Sequence, residues 1–224
     1  MLAKPDLPSL LQSAISAAEA AGSLFAAEFA RPEGPRGGGG HAAIDREVEG
    51  RLRCRLHALF PARWRGEETE QAPPAPGLEA FCWLVDPNDG TSAFRDGHRG
   101  SAIAIALLRD GVPILGVVHA PLSPDRGPET FAWAEGMAGI LRNGRLVRNR
   151  LDGRSLAAGD IVFVSQGALE RPVINTHLVA PARFIGLASI AYRLARVAAG
   201  DGIAAVSLAH PVGWDYAAGH ALLR

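Results

Sequence analysis

The chain has 224 residues, Lys plus Arg balance Asp plus Glu at 23 each, and 48% of residues are hydrophobic. This length and apolar content support one large domain or two closely packed lobes, and exclude a disordered chain. The charge balance argues against a nucleic-acid polymer as partner, and no apolar run reaches membrane-spanning length.

The opening Met1-Leu2-Ala3-Lys4-Pro5-Asp6 lacks a secretory pattern, and Cys54 and Cys82 are the only cysteines, without metal-ligand spacing. A reduced, cytoplasmic setting is the expectation.

From Leu7 to Phe29 the chain reads as a long helix, with Leu10, Leu11, Ala14, Ile15 and Ala18 on one stripe. Pro32, Gly34, Pro35 and Gly37 to Gly40 end it in a flexible loop. A second helix carries Ile44, Val48, Leu52, Leu56 and Leu59 at helical spacing, with Asp45 in its first turn, where a charge favourable to the helix dipole is an ordinary role. Pro61 to Arg65 reads as a loop leading to Gly66-Glu67-Glu68, and Gln71 to Gly77 as a proline-bearing link to a buried strand. Two apolar runs, Ala102–Leu108 and Ile114–Val118, flank Arg109-Asp110-Gly111, a strong hairpin signal. Short strands follow at Phe131–Trp133 and around a turn at Asn143-Gly144. Later come a strand at Ile161–Ser165, a helix at Ser189–Ala199, a short strand near Ile203–Ser207, and a helix opened by Gly213-Trp214-Asp215.

The densest chemistry lies in Trp83-Leu84-Val85-Asp86-Pro87-Asn88-Asp89-Gly90-Thr91. An apolar strand ends in two carboxylates, and Pro87 and Gly90 force a turn between and after them. Such a turn aims Asp86, Asp89 and a backbone carbonyl at one point, as a hard divalent cation requires. Gly90 lets the following amides approach an anion, and Thr91 adds a hydroxyl. The same residues also suit an ordinary surface turn. Glu67-Glu68 alone suits a solvated face, and Asp215 alone a helix-start charge.

Taken together and in this order, the three carboxylate clusters resemble the signature of the inositol monophosphatase family, magnesium-dependent and lithium-sensitive phosphomonoesterases. The resemblance covers nearly the whole chain, with Gly186-Leu187-Ala188-Ser189 resembling the substrate-side glycine loop. It implies an α/β (α+β) fold, a layered α-β-α-β-α sandwich of the inositol monophosphatase and fructose-1,6-bisphosphatase type, C-terminally shortened. Residues 1–150 would form an N-terminal lobe carrying most metal ligands, and 151–224 a closely packed second lobe. Two or three Mg²⁺ ions are implied: Glu67, Asp86 and the Asn88 carbonyl would hold one, and Asp86, Asp89 and Asp215 a second. The Asn88 side chain would matter little, and Asp45 would face the cluster from behind or serve a third ion. Glu67 and Thr91 would orient the attacking water, while Asp89, Gly90, Thr91, Gly186, Leu187 and Ala188 would contact a small-molecule phosphate ester.

Two departures stand out. Where inositol-specific members place an acidic residue seven positions before the last metal Asp, this chain has Leu208. The chain also stops at Leu222-Leu223-Arg224, within the helix begun by Trp214, so an uncovered sheet edge and a homodimer are expected. A low-activity metal- or phosphate-binding module is the alternative to a working phosphatase. Arg183 and Arg193 are read as surface arginines ahead of anion contacts. His210 is read as the only histidine near a motif, without a metal role, and His98 and His119 as lacking a constellation.

Overall fold

The computed structural model describes residues 5–208 and 211–224; His210 lies outside them. Helix α1 spans Leu7–Phe29, with Pro8 in its first turn, where the missing N–H is not needed. It buries Leu10, Leu11, Ala14, Ala18 and Phe25. The glycine segment expected as a loop instead pairs as a two-residue hairpin, β1 (Gly37–Gly38) and β2 (His41–Ala42). Helix α2 spans Asp45–Leu59; Val48, Leu52 and Leu56 are buried, while Leu59 leaves the stripe and is 51% exposed.

Residues Arg63–Gly66, expected as loop, form strand β3. The reason is pairing rather than composition: β3 runs parallel to β4 (Phe81–Asp89), and only its alternate residues, Trp64 among them, are buried. A one-turn helix α3 (Thr91–Arg95) follows, then the hairpin β5 (Ala102–Arg109) and β6 (Val112–Ala120). Asp110 and Gly111 both take positive φ, the geometry that matches hairpin twist. Strands β7 (Glu129–Ala134), β8 (Ile140–Arg142) and β9 (Arg145–Val147) complete a seven-stranded sheet in sequence order. A second sheet holds β10 (Ile161–Val164), β11 (Arg183–Gly186) and β12 (Ala204–Ala205), parallel throughout in the order β11-β10-β12. Its connections include a 3-10 turn at Gln166–Glu170, α4 (Pro172–Val179) and α5 (Ile190–Ala198). Helix α6 spans Gly213–Leu222, and Arg224 donates to the Pro113 carbonyl.

Side-chain size sets the layering. In β5, Ile103, Ile105 and Leu107 face the core shared with α1 and α2, whereas Ala102, Ala104 and Ala106 face the core shared with α5 and α6. Burying each isoleucine contributes about 2–3 kcal/mol. The alanine face lets α6 come close: a Cβ on Gly116 of β6 would lie 2.6 Å from the Ala218 carbonyl oxygen. Phe163 of β10 joins the same second core, which places α5 and α6 between the two sheets. The result is the expected α-β-α-β-α sandwich. Among the described residues no helix is long and apolar enough to cross a membrane.

Candidate active site

The site begins where β4 leaves the sheet. Trp83 and Val85 are fully buried, and pairing with β5 breaks register between Asp86 and Asp89. That irregularity swings both carboxylates to the carboxyl end of the strand. The Asn88 amide donates to Asp86 Oδ1 (2.8 Å), and the Thr91 hydroxyl donates to the Asn88 carbonyl (2.8 Å), locking the turn from within. Gly90 has φ of 99°, and a Cβ there would meet the Ala188 side chain at 3.0 Å. Only glycine fits both the conformation and the space.

Parallel pairing of Gly66 with Val85 brings Glu67 to the same strand end as Asp86. Its setting comes from Glu49 of α2, fully buried, whose carboxylate accepts from the Glu68 amide (2.7 Å), the Thr69 amide (3.1 Å), the Trp64 indole (3.3 Å) and the Thr69 hydroxyl. Gly66 is required there, because a Cβ would lie 1.8 Å from Glu49 Oε1. Asp215, in the first turn of α6, accepts from the Val212 amide (2.9 Å). Glu67, Asp86, Asn88, Asp89, Gly90, Thr91 and Asp215 line one cleft of about 410 Å³ with Ser165, Gln166 and Gly167 from the second sheet.

Several expected residues sit differently. Asp45 is buried behind the cleft, its two oxygens taken by the Ala42 amide (2.8 Å) and the Asn88 side-chain amide (3.0 Å). The Asn88 side chain therefore does matter: it is buried and carries that link, which its expected backbone role concealed. Of the glycine loop, only Ala188 lines the cleft. Gly186 lies in β11 against Leu169, and Leu187 is buried in the core. Arg193 is no surface arginine; it is 2% exposed, donating to the Ser189 carbonyl (3.2 Å) and to that of Val206, whereas Arg183 is exposed. His41, overlooked, lies with Nδ1 2.6 Å from Glu68 Oε1, and that carboxylate raises its pKa. Ser189 was also missed as a site residue. Its hydroxyl donates to Asp89 Oδ2 (2.6 Å) beside the Ala191 amide (2.7 Å), and accepts from the Tyr192 amide (2.9 Å) as the cap of α5. A serine opening an apolar helix was the signal available.

The electrostatics are one-sided. Burial pushes the Asp89 pKa up to about 7 and the Asp45 pKa up to about 6. Burial, then the charges of Asp89 and Glu67, hold Asp86 well above the carboxylate range. Glu67 and Asp215 are raised as well, burial again being the largest cause. Carboxylates crowded this way require protons or a cation.

The chain matches the family described as "Inositol monophosphatase family" over residues 6–224. It belongs to the inositol monophosphatase family. It is 32% identical over 190 residues to an inositol-1-monophosphatase of Rhizobium meliloti, covering 80% of this chain and 67% of that protein. Against the Bacillus subtilis inositol-1-monophosphatase the identity is 29% over 187 residues, covering 81% and 68%. The crystal structure of the extragenic suppressor protein suhB from Bartonella henselae superposes with a TM-score of 0.79 at 23% identity, covering 96% of this chain and 84% of that one, which establishes the fold. The chain spans 42–68% of the length of the first four curated relatives it matches.

The donor set suits the hard cation that the family implies: Glu67, Asp86, Asp89 and Asp215 line the cleft with Asn88 among them, its lining includes neither Lys nor Arg among the described residues, and the nearby Arg193 lowers the Asp89 pKa by less than burial raises it. Among the described residues these groups ring the cleft without three of them closing on one point.

Proposed function

We propose that this chain is a Mg²⁺-dependent phosphomonoesterase that hydrolyses a small phosphorylated metabolite, a sugar, inositol or nucleotide phosphate, to an alcohol and inorganic phosphate. The observation that carries the reading is the ring of charge-crowded carboxylates around one cleft, Asp86 and Asp89 buried in its floor, abutting the positive-φ turn at Gly90. Glu67, Asp86 and the Asn88 carbonyl would hold one Mg²⁺, and Asp86, Asp89 and Asp215 another. Bound Mg²⁺ supplies Lewis acidity toward phosphate oxygens and lowers the pKa of a bound water.

The protein's own groups do the remaining work. The Thr91 hydroxyl commits its proton to the Asn88 carbonyl, leaving its lone pairs to accept from a water. Glu67, exposed toward the cleft and with a pKa raised chiefly by burial, is placed to take that water's proton. The Gly90 and Thr91 amides would bind phosphate oxygens. Since α3 has only five residues, the amides matter there more than a dipole. Asp45 acts through Asn88, fixing the turn that carries Asp86 and Asp89. Ser189 and the Ala191 amide fix Asp89 Oδ2, which turns its other oxygen to the ligand side.

Leu208, 89% exposed, cannot accept hydrogen bonds from sugar hydroxyls, which counts against myo-inositol 1-phosphate. The exposed Ile185 on edge strand β11 supports a homodimer contact, which sedimentation would check. The function is tested by phosphate release from inositol 1-phosphate, histidinol phosphate, fructose 1,6-bisphosphate and adenosine 3′,5′-bisphosphate, with and without Mg²⁺ and lithium. Turnover requiring Mg²⁺ and falling with lithium is expected. Mg²⁺-independent turnover, or none on any substrate, overturns the reading.

A further inference from the structure

Two arginines of α5 are buried, Arg193 at 2% exposure and Arg196 at 3%, and their surroundings differ. Arg196 lies among carboxylates, ion-paired to Asp125 (3.0 Å) and to Asp201. Arg193 takes part in no ion pair among the described residues. Its Nε donates to the Ser189 carbonyl (3.2 Å) and its Nη1 to the Val206 carbonyl. Carbonyls satisfy N–H groups but carry no net charge, so a guanidinium buried on them alone is costly to hold. Arginine nonetheless stays protonated. Burial lowers the Arg193 pKa, and Asp89 is the charge that raises it in return.

The position of Arg193 shows which charge it serves. The carbonyl of Ser189 accepts from Arg193, and the hydroxyl of the same serine donates to Asp89 Oδ2 (2.6 Å). One residue therefore separates the guanidinium from the carboxylate. Asp89 and Asp215 line the cleft, whereas Arg193 is absent from its lining and lies behind Asp89. A fixed cation in that place repels a second cation held in front of the same carboxylate.

We infer that Arg193 is a positioning residue acting through Asp89: its buried charge opposes the divalent ion held by Asp89 and Asp215, and keeps that ion exchangeable between turnovers. The inference rests on the Mg²⁺-dependent reading above. Without the opposing charge, the carboxylates would retain the ion, and the ion would retain the phosphate product.

The test is Mn²⁺ binding followed by electron paramagnetic resonance, which needs no turnover, for the wild type, Arg193→Met, Arg193→Gln and Arg193→Lys. Arg193→Gln keeps a side-chain N–H donor, so the two neutral variants differ in what they cost the fold. Both should bind the more weakly held Mn²⁺ about tenfold more tightly, while Arg193→Lys should match the wild type. In phosphate release, kcat and the Mg²⁺ concentration for half-activation should fall together in the neutral variants. A merely distorted site would need more Mg²⁺, not less. Unchanged or weaker Mn²⁺ binding in the neutral variants overturns the inference, as does loss of the fold in both, which would leave the guanidinium a structural role alone. Tighter Mn²⁺ binding in a protein that hydrolyses no phosphomonoester supports the inference and refutes the phosphatase reading. Mg²⁺-dependent turnover with unchanged Mn²⁺ binding does the reverse.

Discussion

Glu49 offers the sharpest test of how the fold sets the site, because it touches no part of the cleft yet holds the turn that carries Glu67. Its carboxylate faces four donors, from Trp64, Glu68 and Thr69, in a fully buried position. Glu49→Gln keeps the volume but replaces one oxygen with an NH₂ group that points at N–H groups. With the NH₂ in the Oε2 place, the Glu68 bond is lost at about 1.5–3 kcal/mol and the three donors at Oε1 face a neutral acceptor in place of a charged one, so unfolding free energy should fall by about 2–4 kcal/mol. With a urea slope of about 2–3 kcal/mol per molar, the midpoint drops by roughly 1–2 M. In phosphate-release assays run well below the transition, the Mg²⁺ concentration for half-activation should rise, since Glu67 loses its fixed position. Gly66→Ala should behave similarly, because its Cβ would lie 1.8 Å from Glu49 Oε1. A Glu49→Gln protein within about 0.5 kcal/mol of wild type and with unchanged Mg²⁺ activation would refute the reasoning.

Asp89→Asn retains an acceptor for Ser189 and the Ala191 amide, so the variant should fold while losing at least about 100-fold in Mg²⁺-stimulated activity; full activity at low Mg²⁺ contradicts the ligand assignment. Gly116→Val forces a side chain against the backbone of α6 and should lower stability by about 2–3 kcal/mol in chemical denaturation, with an unchanged midpoint as the adverse result. His119 is buried beside Gly22, accepts or donates at Thr130 (2.9 Å), and burial pushes its pKa down from 6.5 to about 4. Below pH 6.5 the unfolded chain takes up a proton that the folded chain refuses until about pH 4, so stability is lost as pH falls through that window, by about 3 kcal/mol in all. His119→Gln should flatten that part of the stability-versus-pH curve relative to wild type; parallel curves would show that His119 is not the source.

Local periodicity and turn chemistry made much of the fold legible. The Leu7–Phe29 stripe, the Asp110-Gly111 and Asn143-Gly144 turns and the β5/β6 hairpin all followed from spacings of a few residues. The Asp86–Thr91 turn was legible for the same reason, since its bonds run between residues two or three apart. Strand β3 was not: four residues with two arginines carry no strand signal, and only parallel pairing with β4 makes them one. Likewise nothing in the neighbourhood of Arg193 marks it as buried, because its partners are the carbonyls of Ser189 and of Val206, brought in by the next strand.

By itself, the sequence determined the chemistry of this protein: which carboxylates, which glycine, which apolar stripes, because these depend on residue type and short-range geometry. Tertiary structure decided which of them work together. The bond from Ser189 to Asp89 spans 100 positions in the chain, and the grip of Glu49 on the Glu67 turn joins a helix to a strand end. The cleft lined by both Thr91 and Gln166 exists only because α3 and the turn after β10 come to face one another. Contacts of that kind are fixed by how two sheets pack around shared helices, and the free energy that selects them is spread over the whole core.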